Sequence, residues 1–242
     1  AWELPDGTLY ISTGNGGFGT FTPETGTFEK AAGVPEISHS TVHQLVPYGK
    51  ECLAGITPKG WFIYNHQTKD FRFNPTPHTC NAIMPDRQKQ LWIGMEDGLL
   101  LCNPNTGQQK TFYTTDGLVN NPIRSIVQTA NNTIWVSTAY GITRITENIL
   151  QEPSPYSFAN FNRYDGVITD EFCERSVFTA PDGTLYWGGI NGFNKYTSTP
   201  AATSQTHSIP LFTGIKLLGE QIEHGKTYNG NRIGRATCRE RV

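Results

Sequence analysis

One five-residue phrase recurs five times along this chain and confines what it can become: Leu9-Tyr10-Ile11-Ser12-Thr13, Cys52-Leu53-Ala54-Gly55-Ile56, Leu91-Trp92-Ile93-Gly94-Met95, Ile134-Trp135-Val136-Ser137-Thr138 and Leu185-Tyr186-Trp187-Gly188-Gly189. Most copies carry an aromatic residue second and a small residue fourth. Each is followed by a turn and a glycine that precedes an apolar or aromatic residue: Gly17-Phe18, Gly60-Trp61, Gly98-Leu99, Gly141-Ile142 and Gly192-Phe193. The copies start about forty residues apart, and a period of that length filled with short strands and turn signals is the mark of a β-propeller with one four-stranded blade per repeat.

The third and fourth repeats display the unit. Ile123 to Val127 reads as a first strand, Asn131-Asn132 as a turn, Ile134 to Thr138 as a second strand and Ile142 to Ile145 as a third. A fourth strand is clearest at Gln109 to Tyr113 and at Thr27 to Lys30, each after a Pro- and Gly-bearing turn. Asp6-Gly7 and Asp182-Gly183 fall between first and second strands, where a tight turn needs the positive φ that glycine tolerates. Alternation sends Tyr10, Trp92, Trp135 and Tyr186 to one face and Ile11, Ile93, Val136 and Trp187 to the other. Both faces are apolar, so each sheet must be buried between neighbours, and the tryptophans read as packing residues.

Two stretches interrupt the period. Asn148 to Asn162, with Pro153 and Pro155, and then Asp165 to Phe172 read as an extended loop between blades. After Tyr196 the composition turns to Thr, Ser, Pro and Ala, which reads as a linker, and an extended pattern resumes from Leu211 to Leu218. The expected organisation is five blades near 1–40, 41–79, 80–121, 122–173 and 174–200, followed over 201–242 by the linker and the start of a second module. Aligning Leu9 on Ile134 leaves Ile123, Arg124 and Ser125 without counterparts, so the first blade is expected to be incomplete in its first strand.

Composition excludes several functions. A net charge of −2 offers no basic stripe for a phosphate backbone, so nucleic acid is not an expected partner. No apolar run is long enough to span a bilayer. The five cysteines, Cys52, Cys80, Cys102, Cys173 and Cys238, lack zinc-ligand spacing, and no metal or other cofactor is expected. Cys52 and Cys102 read as small buried hydrophobes.

The phrase Gln90-Leu91-Trp92-Ile93-Gly94 with Asp97-Gly98-Leu99, and the linker Thr115-Asp116-Gly117-Leu118-Val119-Asn120-Asn121, resemble the two-component regulator propeller repeat. Asp165-Gly166-Val167 through Glu171-Phe172, with Asp182 through Asn194, resembles the last propeller blade in the sensor region of hybrid two-component regulators of Bacteroidetes type. Ile209 to Leu217 is similar to the strand that opens the tyrosine-rich, immunoglobulin-like (Y_Y_Y) module after that propeller. The resemblance implies a periplasmic sensor region, two seven-bladed propellers in the parent, an oligosaccharide ligand derived from glycan breakdown and control of carbohydrate-utilisation genes. It also implies a homodimeric parent whose kinase lies outside this chain, with membrane contact only through a downstream helix. This chain is then expected to be no enzyme by itself, and to be a fragment whose five blades form an open row of a seven-bladed propeller.

The competing readings are a streptogramin-lyase-like propeller enzyme and a structural or protein-binding propeller. The six histidines form no His-x-His or His-Glu-x-x-His pattern, and His39 and His43, near an inner strand, are what a lyase could use. The carboxylates Asp165, Asp170, Glu171 and Glu174 cluster in the long loop, and the expectation there is solvation rather than glycoside hydrolysis. No catalytic residue is therefore assigned. Ligands are expected at the connections between second and third strands and between blades. Sugars favour aromatic faces flanked by amides, carboxylates and arginine. The candidates are Tyr140, Asn121, Arg124, Glu171, Arg175 and Asn191.

Overall fold

The computed structural model describes residues 1–4, 6–14, 16–37, 39–147, 154–168 and 171–197, and beyond these only the backbone of four short strands. The first sheet comprises β1 (Trp2–Glu3), β2 (Leu9–Ser12), β3 (Phe18–Thr22) and β4 (Thr27–Lys30). The second comprises β5 (Gln44–Tyr48), β6 (Cys52–Thr57), β7 (Gly60–Asn65) and β8 (Phe71–Pro75). The third has β9 (Cys80–Pro85), β10 (Leu91–Met95), β11 (Leu99–Cys102) and β12 (Gln109–Phe112). The fourth has β13 (Ile123–Gln128), β14 (Ile134–Thr138), β15 (Ile142–Glu147) and β16 (Tyr156–Phe161). The fifth has three strands among the described residues, β17 (Phe172–Thr179), β18 (Leu185–Gly189) and β19 (Gly192–Tyr196). Every pairing is antiparallel between consecutive strands, the up-and-down order of propeller blades, and β1 is the short strand that the sequence predicts for the first blade.

Contacts divide the chain into one unit from Ala1 to Ser198 and another from Thr199 to Val242. In the second unit, β20 (Ile215–Leu217) pairs with β21 (Glu220–Ile222), and β22 (Thr227–Tyr228) with β23 (Asn231–Arg232). Most of the predicted Leu211 to Leu218 strand lies outside the described residues.

Four apolar cores fill the gaps between consecutive blades. Tyr10 and Phe18 meet Leu53 and Phe62 between blades 1 and 2, and Ala54 and Ile56 meet Ile83 and Ile93 between blades 2 and 3. Trp92 and Phe112 meet Ile134 and Val136 between blades 3 and 4, and Trp135 meets Leu185 and Trp187 between blades 4 and 5. Burying one such side chain contributes roughly 1.5–3 kcal/mol, so sheets with two apolar faces gain most of their stability from neighbours. Among the described residues no core joins blade 5 to blade 1. The outward face of blade 5 instead exposes Phe178 (62%) and Phe193 (61%), which cluster on Tyr186.

Two sequence readings need correction. In blade 2 the phrase begins at Leu53 rather than Cys52: Thr57 Oγ1 donates to the Gly60 carbonyl at 3.2 Å, as Thr138 Oγ1 does to that of Gly141 at 3.0 Å. The equivalent of Trp135 is therefore Ala54, and a slip of one residue exchanges the two faces of the strand. The predicted loop from Asn148 to Asn162 contains β16. Its Tyr156 and Phe158 alternate onto the core shared by blades 3 and 4, a strand signal hidden behind Pro153 and Pro155.

The Asp-Gly signals behave as the sequence predicts. Asp182 Oδ1 accepts the Thr184 amide at 2.9 Å, which holds its carboxyl below the usual carboxylate value, and Gly183 adopts φ 82°. The linkers between blades 3 and 4 and between blades 4 and 5 share another device. Each makes one 3-10 turn, Thr114–Asp116 or Arg163–Asp165, in which the aspartate accepts the amide of Tyr113 at 2.9 Å or of Asn162 at 3.0 Å.

Candidate ligand-binding site

The candidate site is built by irregularities in three successive inner strands. Beside β10, β9 carries one extra residue, Asn81, between Cys80 and Ala82; beside β14, β13 carries Arg124 between Ile123 and Ser125. Strand β17 departs further: Phe172 pairs with Gly189 and Val177 with Trp187, so Cys173 to Ser176 stand out of register. A bulge leaves its extra residue unpaired and re-aims the side chain, and these residues share one polar network. Arg175 occupies φ 56°, a left-handed conformation that a non-glycine residue adopts only when its surroundings impose it.

Arg175 donates to the Asn81 carbonyl of blade 3 at 2.9 Å and pairs with Glu174 at 3.0 Å. Asn81, 1% exposed, donates from Nδ2 to Glu96 at 2.8 Å and to the Ile123 carbonyl at 3.1 Å. Arg124 pairs with Glu96 at 2.7 Å and with Glu174 at 3.7 Å. Two guanidinium groups thus face two carboxylates, and the ion pairs hold the bulged backbone in place. Beside them opens a cavity of about 390 Å³ lined by Arg124, Glu171, Phe172, Cys173, Glu174 and Ile190.

Of the six predicted residues, the structure brings Arg124, Glu171 and Arg175 to this network or its cavity. Asn121 is nearby in sequence but committed elsewhere: Nδ2 donates to Asp97 at 2.8 Å and Oδ1 accepts the Thr114 amide at 2.8 Å. Tyr140 is 64% exposed on the β14–β15 connection, and Asn191 is exposed on the β18–β19 connection; neither lines the cavity. Sequence reasoning missed Asn81 and Glu96. The available signal was a lone amide inside the apolar run Cys80-Asn81-Ala82-Ile83, one place after the strand start, as Arg124 follows Ile123.

Among the described residues the histidines do not converge. His39 is exposed, whereas His43 Nδ1 lies 3.3 Å from the Cys80 carbonyl. His78 sits 3.7 Å from Asp97. Among the described residues no group of three or more His, Cys, Asp or Glu is arranged to hold a metal ion. The cysteines Cys52, Cys80, Cys102 and Cys173 are unpaired. Burial pushes the Cys80 thiol up to about 11, even though Thr76 Oγ1 lies 3.3 Å from its sulfur. No helix among the described residues is long and apolar enough to cross a membrane.

Residues 117–140 match the two component regulator propeller family, and they span the blade linker, β13 and β14. No curated protein sequence matches the chain. Among solved structures, the extracellular domain of a protein described as the hybrid two component system BT3049 from B. thetaiotaomicron aligns at TM-score 0.55 and 16% identity. It covers 92% of this chain and 38% of its own. PorZ, a surface component of the type-IX secretion system of Porphyromonas gingivalis, aligns at TM-score 0.61 and 14% identity over 88% of this chain and 34% of its own. Virginiamycin B lyase from Staphylococcus aureus aligns at TM-score 0.59 and 12% identity, covering 82% of this chain and 69% of that enzyme. These likenesses establish the propeller fold, and the chain spans well under half the length of the first two proteins.

Proposed function

We propose that this chain is part of the extracytoplasmic sensor region of a hybrid two-component regulator, and that the inner-strand network with its cavity binds a glycan-derived oligosaccharide. The observation that carries the reading is the convergence of bulges from three successive blades on one cluster of Asn81, Arg124, Glu174 and Arg175. A sugar hydroxyl both donates and accepts, and guanidinium and carboxylate groups held side by side offer each role within one diol's reach. The network's two guanidinium groups balance its two carboxylates and the cavity adds the carboxylate of Glu171, which favours a neutral polyhydroxylated ligand over a phosphate. Ile190, 65% exposed at the rim, offers an apolar surface for the C–H face of a sugar ring.

The regulator repeat over residues 117–140 and the fold shared with an extracellular two-component domain support the sensor role over an enzymatic one. Control of carbohydrate-utilisation genes, a periplasmic location, a homodimeric parent and the Y_Y_Y module belong to this same proposal. Calorimetry of the parent ectodomain against a panel of glycan fragments tests it. Binding that weakens at least tenfold in Arg124→Ala is the expected result. Absence of any binder, together with substrate turnover that depends on His39 or His43, would reverse the reading in favour of a lyase-like propeller.

A further inference from the structure

Thr143 and Asn194 occupy the same place in successive blades. Each stands two residues beyond the glycine after the second strand, Gly141 in blade 4 and Gly192 in blade 5, and each lies opposite the third residue of the repeated phrase, Val136 or Trp187. In blades 2 and 3 that place is filled by Phe62 and Leu100, and in blade 1 by Gly19. A polar side chain thus stands there only in blades 4 and 5, and both are buried.

Both side chains accept from the linker that precedes their own blade. Thr143 Oγ1 takes the Val119 amide at 3.0 Å, and Asn194 Oδ1 takes the Ile168 amide at 2.7 Å. Val119 and Ile168 are themselves equivalent, each two residues after the glycine that ends a 3-10 turn, Gly117 or Gly166. In blade 4 the fourth strand completes the tie: Thr143 donates to Asn160 Oδ1 at 2.7 Å, and Asn160 Nδ2 donates to the Gly117 carbonyl at 3.0 Å. In blade 5 the Ile190 amide adds a bond to the Glu171 carbonyl at 3.2 Å.

A buried polar side chain is costlier than the apolar one that blades 2 and 3 carry here, so the bond it makes has to hold something in place. What the two linkers lead into is the site. The first enters β13 at Ile123, beside the bulged Arg124; the second enters β17 at Phe172, ahead of Glu174 and Arg175, which stand out of register. A bulged residue is left out of the ladder, so its placement depends on where the chain enters the strand. Asn81, the bulge of blade 3, follows a short linker that a main-chain bond already holds, from the Glu96 amide to the Thr79 carbonyl at 2.9 Å.

We infer that Thr143 and Asn194 are positioning residues of the inner-strand network, setting Arg124, Glu174 and Arg175 through the linkers that they hold. The consequence for ligand affinity rests on the glycan-binding reading above, whereas the placement of the network does not.

The test compares the parent ectodomain with four single variants. Thr143→Val keeps the shape and removes the acceptor, and Thr143→Ser restores a hydroxyl; Asn194→Leu removes the amide, and Asn194→Asp keeps the acceptor for Ile168. Hydrogen exchange read by mass spectrometry follows the linkers and bulges, and calorimetry with xylotriose, cellotriose, galactotriose and N,N′-diacetylchitobiose follows binding. Exchange is expected to quicken about five- to tenfold in peptides containing Val119 and Arg124 for Thr143→Val, and in those containing Ile168 and Glu174 for Asn194→Leu. Peptides from β14 and β18 are expected to stay unchanged, and Thr143→Ser and Asn194→Asp to behave as the wild type. A sugar that binds the wild type is expected to bind Thr143→Val and Asn194→Leu about five- to tenfold more weakly. Exchange that rises across the whole of blades 4 and 5, or that Thr143→Ser and Asn194→Asp fail to restore, would reduce both side chains to packing and overturn the inference. So would a bound sugar whose affinity ignores Thr143→Val and Asn194→Leu. Failure of all four sugars to bind the wild type would count against the glycan-binding reading, and the exchange pattern would still decide whether the two residues place the network.

Discussion

Replacing Gly94 with alanine aims one methyl group at the inner strand of the next blade. A Cβ built on Gly94 would lie 2.5 Å from Cγ2 and 2.8 Å from Cβ of Ile123, where ordinary contacts begin at 3.4 Å. The shortfall is roughly an ångström, and Ile123 cannot swing aside: it is fully buried, and the second clash involves its own Cβ rather than the far end of a flexible chain. Overpacking of this kind costs about 1–3 kcal/mol, and the reduced backbone entropy of alanine returns about 0.5–1 kcal/mol. A net loss of about 1–2 kcal/mol is expected in urea denaturation. Ile123→Ala alone costs about 2–5 kcal/mol through the cavity it leaves. Because the added methyl moves into the space that Cγ2 vacates, the double variant is expected to lose about 1–2 kcal/mol less than the sum of the two single changes. Additive losses, or a neutral Gly94→Ala, would refute the claim that Gly94 is kept small by the approach of Ile123 from the next blade.

At Arg175 the left-handed backbone and the side-chain contacts make separable contributions: Arg175→Gly is expected to be about 1 kcal/mol more stable than Arg175→Ala, because only glycine accepts φ 56° freely, and equal melting of the two variants would deny that imposed conformation. In the β9–β10 turn, Asp86 accepts the Trp92 indole N–H at 3.0 Å and the amides of Gln88 at 2.9 Å and Gln90 at 2.8 Å. Trp92→Phe is accordingly expected to cost about 1–3 kcal/mol, and a smaller loss in Asp86→Ala than in Trp92→Phe would contradict this ordering of the turn. The Cys80 thiol, raised to about 11 from 9.0, keeps its proton in the folded state after the unfolded chain has released it. The contribution of this thiol to stability is therefore expected to be constant below about pH 9 and to fall by about 2–3 kcal/mol as pH rises to about 11, and Cys80→Ala removes that part of the loss from the denaturation profile.

The architecture was legible because period and alternation are properties of the chain itself. Trp92, Trp135 and Val136 sit on the faces that alternation assigns them, and the small fourth residue Gly94 lies where Ile123 of the next blade approaches. Blade 2 was misread by one residue because Cys52 and Leu53 are both apolar; the hydroxyl of Thr57, which marks the strand end as Thr138 does, carried the correct register. The site was only partly legible. Arg124, Glu171 and Arg175 could be named from loop positions, but Asn81 and Glu96 join them through contacts spanning blades, and Arg175 meets Asn81 across 94 residues of sequence. A bulge is a mismatch between two strands, so neither strand displays it alone.

The central claim is that bulges from three blades build an oligosaccharide site on the inner strands. The direct measurement is a crystal structure of the parent ectodomain with its tightest-binding glycan fragment. The expected result is sugar density in the cavity beside Arg124, Glu171 and Ile190, with hydroxyls within hydrogen-bond distance of Arg124 or Glu174. A fragment bound elsewhere with that cavity filled only by solvent, or a metal ion held by His43 beside a bound substrate, would contradict the account.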